Sequence, residues 1–147
     1  MKNNEKWDRR FLDLAEVIST WSKDPSTKVG AVIADDQNRV LSVGYNGPAP
    51  GVDDAYAVLG ERDVKIKCVI HAEVNAITHS NIANLTGATM YCTHLPCPNC
   101  ASLMISKRIS RVVVFDTDVE MAKRWNWDIS AKLLEGVGIK TLMYKKG

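Results

Sequence analysis

Hydrophobic residues recur at spacings of four and three through Trp7, Phe11, Leu14, Ile18 and Trp21, the period of a helix with one apolar face. The stripe reads as core packing rather than an aromatic binding box. A polar loop from Ser22 to Lys28 follows it. Val29 to Ala34 and Val40 to Tyr45 are then two strand-like apolar runs joined at Asp35-Asp36-Gln37-Asn38, which predicts a hairpin. From Asn46 to about Lys67 the pattern disappears. Gly47, Pro48, Pro50, Gly51 and the Asp53-Asp54 pair punctuate a stretch longer than connections usually are, and long ordered loops tend to carry function.

Beyond that stretch the periods alternate. A helical segment runs from His71 to about Asn81, a strand from Thr89 to Thr93, and a helix opens at Cys97. A strand from Arg111 to Phe115, a helix from about Glu120 to Glu135 stopping at Gly136, and a strand from Ile139 to Tyr144 complete the chain. A hairpin followed by strand and helix alternation predicts one layered α/β domain over residues 1–147, with about five strands and four helices.

Composition narrows the classes of function. With 147 residues, 46% hydrophobic and 24% charged, the chain has enough core to fold without a stabilising metal or disulfide, so a metal here would be functional. No run of about 18 apolar residues occurs and Met1 to Arg10 is polar, which predicts neither a membrane span nor a secretory signal, hence a cytoplasmic protein. A net charge of +2, with only Lys145-Lys146 as a short basic tail, is far from a nucleic-acid-binding stripe and leaves a phosphate-bearing small molecule as a ligand class.

Three local patterns carry no chemistry. Asn84-Leu85-Thr86 matches a glycosylation triplet by chance, and Gly136 to Thr141 lies after a helix, the reverse of a phosphate loop. Trp125 and Trp127, two apart, point in different directions on a helix and read as packing residues against the sheet or a neighbouring subunit.

The informative constellation is His71-Ala72-Glu73 followed by Pro96-Cys97-Pro98-Asn99-Cys100. Two cysteines with two residues between them, at the mouth of a helix with Pro98 at its first position, set both sulfurs toward one ion. His71 supplies a third ligand and leaves a fourth position open, the mark of a catalytic zinc site. Glu73 lies beside the metal without being needed as a ligand, free to carry protons. This order, His-x-Glu then Pro-Cys-x-x-Cys, is the general signature of zinc nucleobase deaminases. Other readings stay open at this point. The cysteine pair suits a redox motif, and Cys92 or His94 could close a structural zinc site, although neither accounts for Glu73. Cys68 and Cys92 read as small buried hydrophobes.

The chain resembles the deoxycytidylate (dCMP) deaminases of the cytidine deaminase superfamily over roughly residues 7 to 144. The blocks that carry the likeness are Ser22-Lys23-Asp24-Pro25, Lys28 to Ile33, Gly44-Tyr45-Asn46-Gly47-Pro48, His71 to Ile77 and Pro96 to Ala101. The resemblance implies a three-layer α/β/α sandwich with a five-stranded mixed sheet. It implies that His71, Cys97 and Cys100 hold one Zn2+, that Glu73 is the proton shuttle for attack at C4 of cytosine, and that Asn46 holds the deoxyribose. Lys23 and Ser22 are expected near the substrate phosphate, and His94 at the pocket wall.

Some dCMP deaminases place an arginine after the His-Ala-Glu helix, where Asn81 and Ile82 stand here. That departure leaves dCTP open as a second substrate beside dCMP. By the same likeness the chain is expected to form a homo-oligomer, a hexamer, with dCTP (with Mg2+) and dTTP as effectors, compatible with Gly47, Gly51 and Lys28, and to supply dUMP for thymidylate synthesis. A tRNA adenosine deaminase carries a similar signature, but 24 residues separate Asn46 from His71 here and no strongly basic surface is present. A catalytically silent zinc domain is the remaining alternative, and it has no use for Glu73.

Overall fold

A computed structural model describes residues 5–147. Helix α1 (Glu5–Ser19) packs on a sheet whose first two strands, β1 (Gly30–Ala34) and β2 (Val40–Tyr45), form the expected antiparallel hairpin. Helices α2 (Asp54–Ala57), α3 (Arg62–Cys68) and α4 (Ala72–Ser80) lead to β3 (Thr89–Cys92), then α5 (Pro98–Ser106) to β4 (Arg111–Phe115). Helices α6 (Val119–Arg124) and α7 (Trp127–Gly136) precede β5 (Lys140–Tyr144). The sheet order is β2-β1-β3-β4-β5, with β3 antiparallel to β1 and parallel to β4, so the sheet is mixed as expected.

Strand alternation divides the core into two layers. Val32, Ala34, Tyr91, Val113 and Phe115 face Phe11, Leu12 and Ala15 of α1. Ala31, Ile33, Met90, Cys92, Val112 and Val114 face the other way, onto Ala72 and Ala76 of α4, Ala101 and Met104 of α5 and Leu134 of α7. One helix above and three below make the α/β/α sandwich.

Three expectations are corrected. The stretch read as irregular between Asn46 and Lys67 contains α2 and α3, and the single helix expected over 120–135 is two, so the described residues form seven helices rather than about four. Helix α2 is only four residues long, and forms because Asp53 caps it by accepting from the Ala55 amide. The α6/α7 break falls at Asn126, whose φ of 55° is left-handed and cannot continue a helix. Trp21 leaves the stripe of α1, lies 54% exposed, and meets Tyr45 edge-on with ring centroids 6.3 Å apart.

Pairing registers gather the site-building segments at one end of the sheet. Gly30 at the start of β1 pairs with Tyr45 at the end of β2, and Ala31 with Cys92 at the end of β3. Residues before β1, after β2 and after β3 therefore emerge together, and parallel pairing sends the chain after β4 the same way. Gly44 holds α4 against this end: a Cβ there would stand 2.5 Å from the Ala72 carbonyl oxygen and press on the Ala76 amide. Among the described residues no helix is long and apolar enough to cross a membrane.

Candidate active site

His71 and Cys97 each occupy the position where the chain turns into a helix, α4 and α5 respectively. Pro98 fits the first turn of α5 because the amide it lacks would have no helical partner. Cys100 follows about one turn from Cys97 on the same face. His71 Nδ1 consequently lies 3.2 Å from Cys100 Sγ and 3.5 Å from Cys97 Sγ, and the three donor atoms all fall within 4.8 Å of one another. Among the described residues no other three metal-ligating side chains converge in this way.

One imidazole and two thiols suit Zn2+, and three protein ligands leave a coordination position free. The residues that might have closed the set stand apart from it. Cys92 is packed in the core, and His94 Nδ1 sits 2.8 Å from Thr93 Oγ1. The N-termini of α4 and α5 both open toward the cluster, and their dipoles favour thiolate there. A hydrogen bond from the Cys100 thiol, reinforced by His71, pulls the Cys97 thiol down to about 4 against the opposing effect of burial. The same hydrogen bond and burial hold Cys100 far up. His71 is raised, first by its hydrogen bond to Cys97.

Glu73 lies in the first turn of α4 and is 4% exposed. Burial pushes its carboxyl upward, against the lowering effects of a backbone hydrogen bond and of His71. A carboxyl so placed, in the cavity beside the ligand cluster, is suited to take up and release protons during a reaction.

His71, Glu73 and Cys97 line a cavity of about 230 Å³. Its other walls come from the loop before β1 (Asp24, Ser26, Thr27), Asn46, α3 (Arg62, Lys65), His94, and the α6/α7 junction (Arg124, Trp125). Trp125 packs against the core below and meets His71 edge-on, ring centroids 6.1 Å apart and planes at 87°.

The expected substrate residues divide between this cavity and its surroundings. Asn46 lines it, and its amide is oriented from both sides: Oδ1 accepts from the Val29 amide at 2.8 Å and Nδ2 donates to the Thr27 carbonyl at 2.8 Å. One Nδ2 proton is left over. His94 also lines the cavity, and burial together with the charges of Lys146 and Arg124 lowers its pKa. Ser22 lies outside the lining, buried, with Oγ donating to the Asn46 carbonyl at 2.8 Å and accepting from the Asp24 amide. Lys23 is exposed and paired with Asp54 at 2.6 Å, lining a neighbouring groove with Tyr45 and His79. Arg62, Lys65 and Arg124 were not singled out from the sequence. Arg62 and Lys65, three apart in a segment with weak periodicity, were the available signal.

Known proteins share this arrangement. Residues 5–116 match the family model described as the cytidine and deoxycytidylate deaminase zinc-binding region. An uncharacterized deaminase encoded in the luxG 3′ region of Aliivibrio fischeri is 45% identical over 120 residues, covering 82% of this chain and 80% of that protein. A probable deoxycytidylate deaminase of Caenorhabditis elegans is 42% identical over 122 residues, covering 81% of this chain and 62% of its own length. Among solved structures, the dCMP deaminase of cyanophage S-TIM5 in complex with dCMP and dUMP superposes with a TM-score of 0.79 at 21% identity, covering 97% of this chain and all of that one. With its His/Cys/Cys cluster, its buried Glu73 and its mixed five-stranded sheet, the chain belongs to the dCMP deaminase family of the cytidine deaminase superfamily.

Proposed function

We propose that this protein hydrolyses the 4-amino group of dCMP, giving dUMP and ammonia. The observation that carries the reading is Glu73, buried in the cavity two residues from His71, beside the Cys100 thiol and in no ion pair among the described residues. His71, Cys97 and Cys100 would hold a zinc ion, whose chemistry there would be the activation of water at neutral pH. Glu73 takes a proton from the attacking water and delivers it to N3 of the pyrimidine, then takes the proton of the new C4 hydroxyl and passes it to the departing amine. Asn46, its amide plane fixed by Thr27 and Val29, offers its spare Nδ2 proton to the sugar.

For the phosphate the cavity favours Arg62 and Arg124 over Lys23 and Ser22. Both arginines line it without a carboxylate partner among the described residues, whereas Lys23 is committed to Asp54 and Ser22 to backbone. Guanidinium groups suit phosphate oxygens. The likeness to the family supports the finer parts of the reading: a homohexamer in the cytoplasm, regulation by dCTP with Mg2+ and by dTTP, and a dUMP product that feeds thymidylate synthesis. Arginines at the open side of a cavity are compatible with dCTP as well.

The test is ammonia release by the zinc-loaded protein with dCMP, dCTP, deoxycytidine and an adenosine-bearing tRNA stem-loop offered separately. Turnover of dCMP well above deoxycytidine supports the reading. Turnover of the stem-loop alone, or of nothing, overturns it.

A further inference from the structure

The lining of the cavity contains an ion pair that the proposed chemistry does not use. Asp24 Oδ1 lies 3.1 Å from Lys65 Nζ, with side chains only 7% and 11% exposed. The same oxygen accepts from the Ser26 amide at 2.8 Å and the Thr27 amide at 3.2 Å. Lys65 Nζ also donates to Ser26 Oγ at 3.1 Å. All three partners therefore crowd onto Oδ1. The second carboxylate oxygen, Oδ2, takes no hydrogen bond among those of the described residues. Oδ2 is not one of the enclosed, unpartnered side-chain oxygens of the fold, so it keeps an opening through which a donor can reach it. Burial alone would raise the Asp24 carboxyl, yet the two amides and Lys65 hold it below its ordinary value, so it is an anion at working pH.

The position of this oxygen is informative. Thr27 donates its amide to Asp24 and accepts from Asn46 Nδ2 with its carbonyl, so the two side chains flank a single residue. Both line the cavity that holds His71 and Glu73. A spare anionic acceptor and a spare amide proton, lining one cavity and tied to the same residue, match one alcohol: the hydroxyl proton goes to the acceptor and the hydroxyl oxygen receives the amide proton. The deoxyribose of a bound nucleotide has a single ring hydroxyl, at C3′.

We propose that Asp24 Oδ2 accepts the 3′-hydroxyl proton of the nucleotide, with Lys65 as the positioning residue that fixes the carboxylate. The inference rests on the proposed function and extends it to the sugar. It makes Asp24 a specificity-determining residue, and it gives α3, carried by the long segment between β2 and α4, a part in choosing the substrate. Loss of one hydrogen bond to a charged group corresponds to a discrimination of about tenfold or more.

The experiment compares kcat/KM for dCMP and for 2′,3′-dideoxycytidine monophosphate on each protein, so that losses of folding or zinc cancel in the ratio. Wild type is expected to favour dCMP by about tenfold or more. The ratio should fall to within about threefold in Asp24→Ala and in Asp24→Asn, which preserves shape, and Lys65→Met should lower it while Lys65→Arg recovers most of it. Equal rates for both nucleotides on wild type would overturn the inference and leave dCMP deamination standing. So would an undiminished ratio in the Asp24 variants, which would reduce the pair to a loop fastener. Failure of wild type to turn over dCMP at all is a separate outcome and removes the reading on which the inference rests.

Discussion

Asp8 and Arg111, 103 residues apart in sequence, meet with Oδ2 2.8 Å from a guanidinium nitrogen, their side chains 1% and 3% exposed. Tyr91 donates its hydroxyl to the same carboxylate at 3.0 Å and Tyr144 at 2.8 Å. Burial and the neighbouring Asp8 push the Tyr144 hydroxyl up to about 12. One carboxylate from α1 thus ties together β3, β4 and β5 on the side of the sheet away from α4 and α5. Asp8→Ala strands Arg111 as an uncompensated buried charge, and is expected to cost about 3–5 kcal/mol in denaturant unfolding. The protein that remains folded should keep its KM, because Asp8 does not line the cavity.

Gly44→Ala should lower both stability and turnover. The added methyl meets backbone of α4, at Ala72 and Ala76, rather than a movable side chain. Overpacking of this kind costs about 1–3 kcal/mol. Because α4 begins at His71 and Glu73, the displacement reaches the site, and zinc titration of the variant should show weaker binding than wild type.

Glu73→Ala should keep fold and zinc stoichiometry while kcat falls by about 10²–10⁴. Metal analysis alongside steady-state rates checks both halves. A variant that lost its zinc would reassign Glu73 to the ligand set.

Arg62→Ala and Arg124→Ala should each raise KM for dCMP by about tenfold, the worth of a charged hydrogen bond, and leave deoxycytidine little changed. An equal effect on nucleotide and nucleoside would place the phosphate elsewhere.

Asp24 gives the acid limb of stability a specific contributor. Its folded pKa is lowered, so its contribution is complete above the unfolded value of about 3.9 and is lost as pH falls below it toward the folded value. Wild type should therefore lose stability below about pH 4 more steeply than Asp24→Asn, as read by thermal unfolding between about pH 5 and 3.

Much of this was legible in the sequence because its signals are local. The hairpin follows from two apolar runs around Asp35 to Asn38, and the convergence of His71, Cys97 and Cys100 follows from one cysteine spacing and two helix starts. What escaped was tertiary or too short to have a period. Helices α2 and α3 span four and seven residues after a run rich in glycine and proline, so no amphipathic repeat develops. The cations of the cavity lie on α3 and at the end of α6, remote in sequence from the zinc motif, and only folding brings them beside it. Lys23, expected near the phosphate, has neighbours in sequence that belong to the cavity wall, while its own ammonium pairs with Asp54, a partner that only folding reveals.

Strand β3 is the seam where the antiparallel half of the sheet meets the parallel half, the kind of crossing point beside which α/β proteins open their crevices. Cys97 and Cys100 leave that seam directly, whereas His71 and Glu73 share the connection after β2 with Arg62 and Lys65, and Arg124 follows β4. Reaction and selection are thereby carried on different helices, α4 and α5 for the one, α3 and the end of α6 for the other. Because Gly44 seats α4 directly on β2, the stretch before α4 and the loop after β4 can change length or charge without moving a ligand, so a lineage built on this plan can trade one nucleotide for another while its hydrolytic apparatus stays as it is.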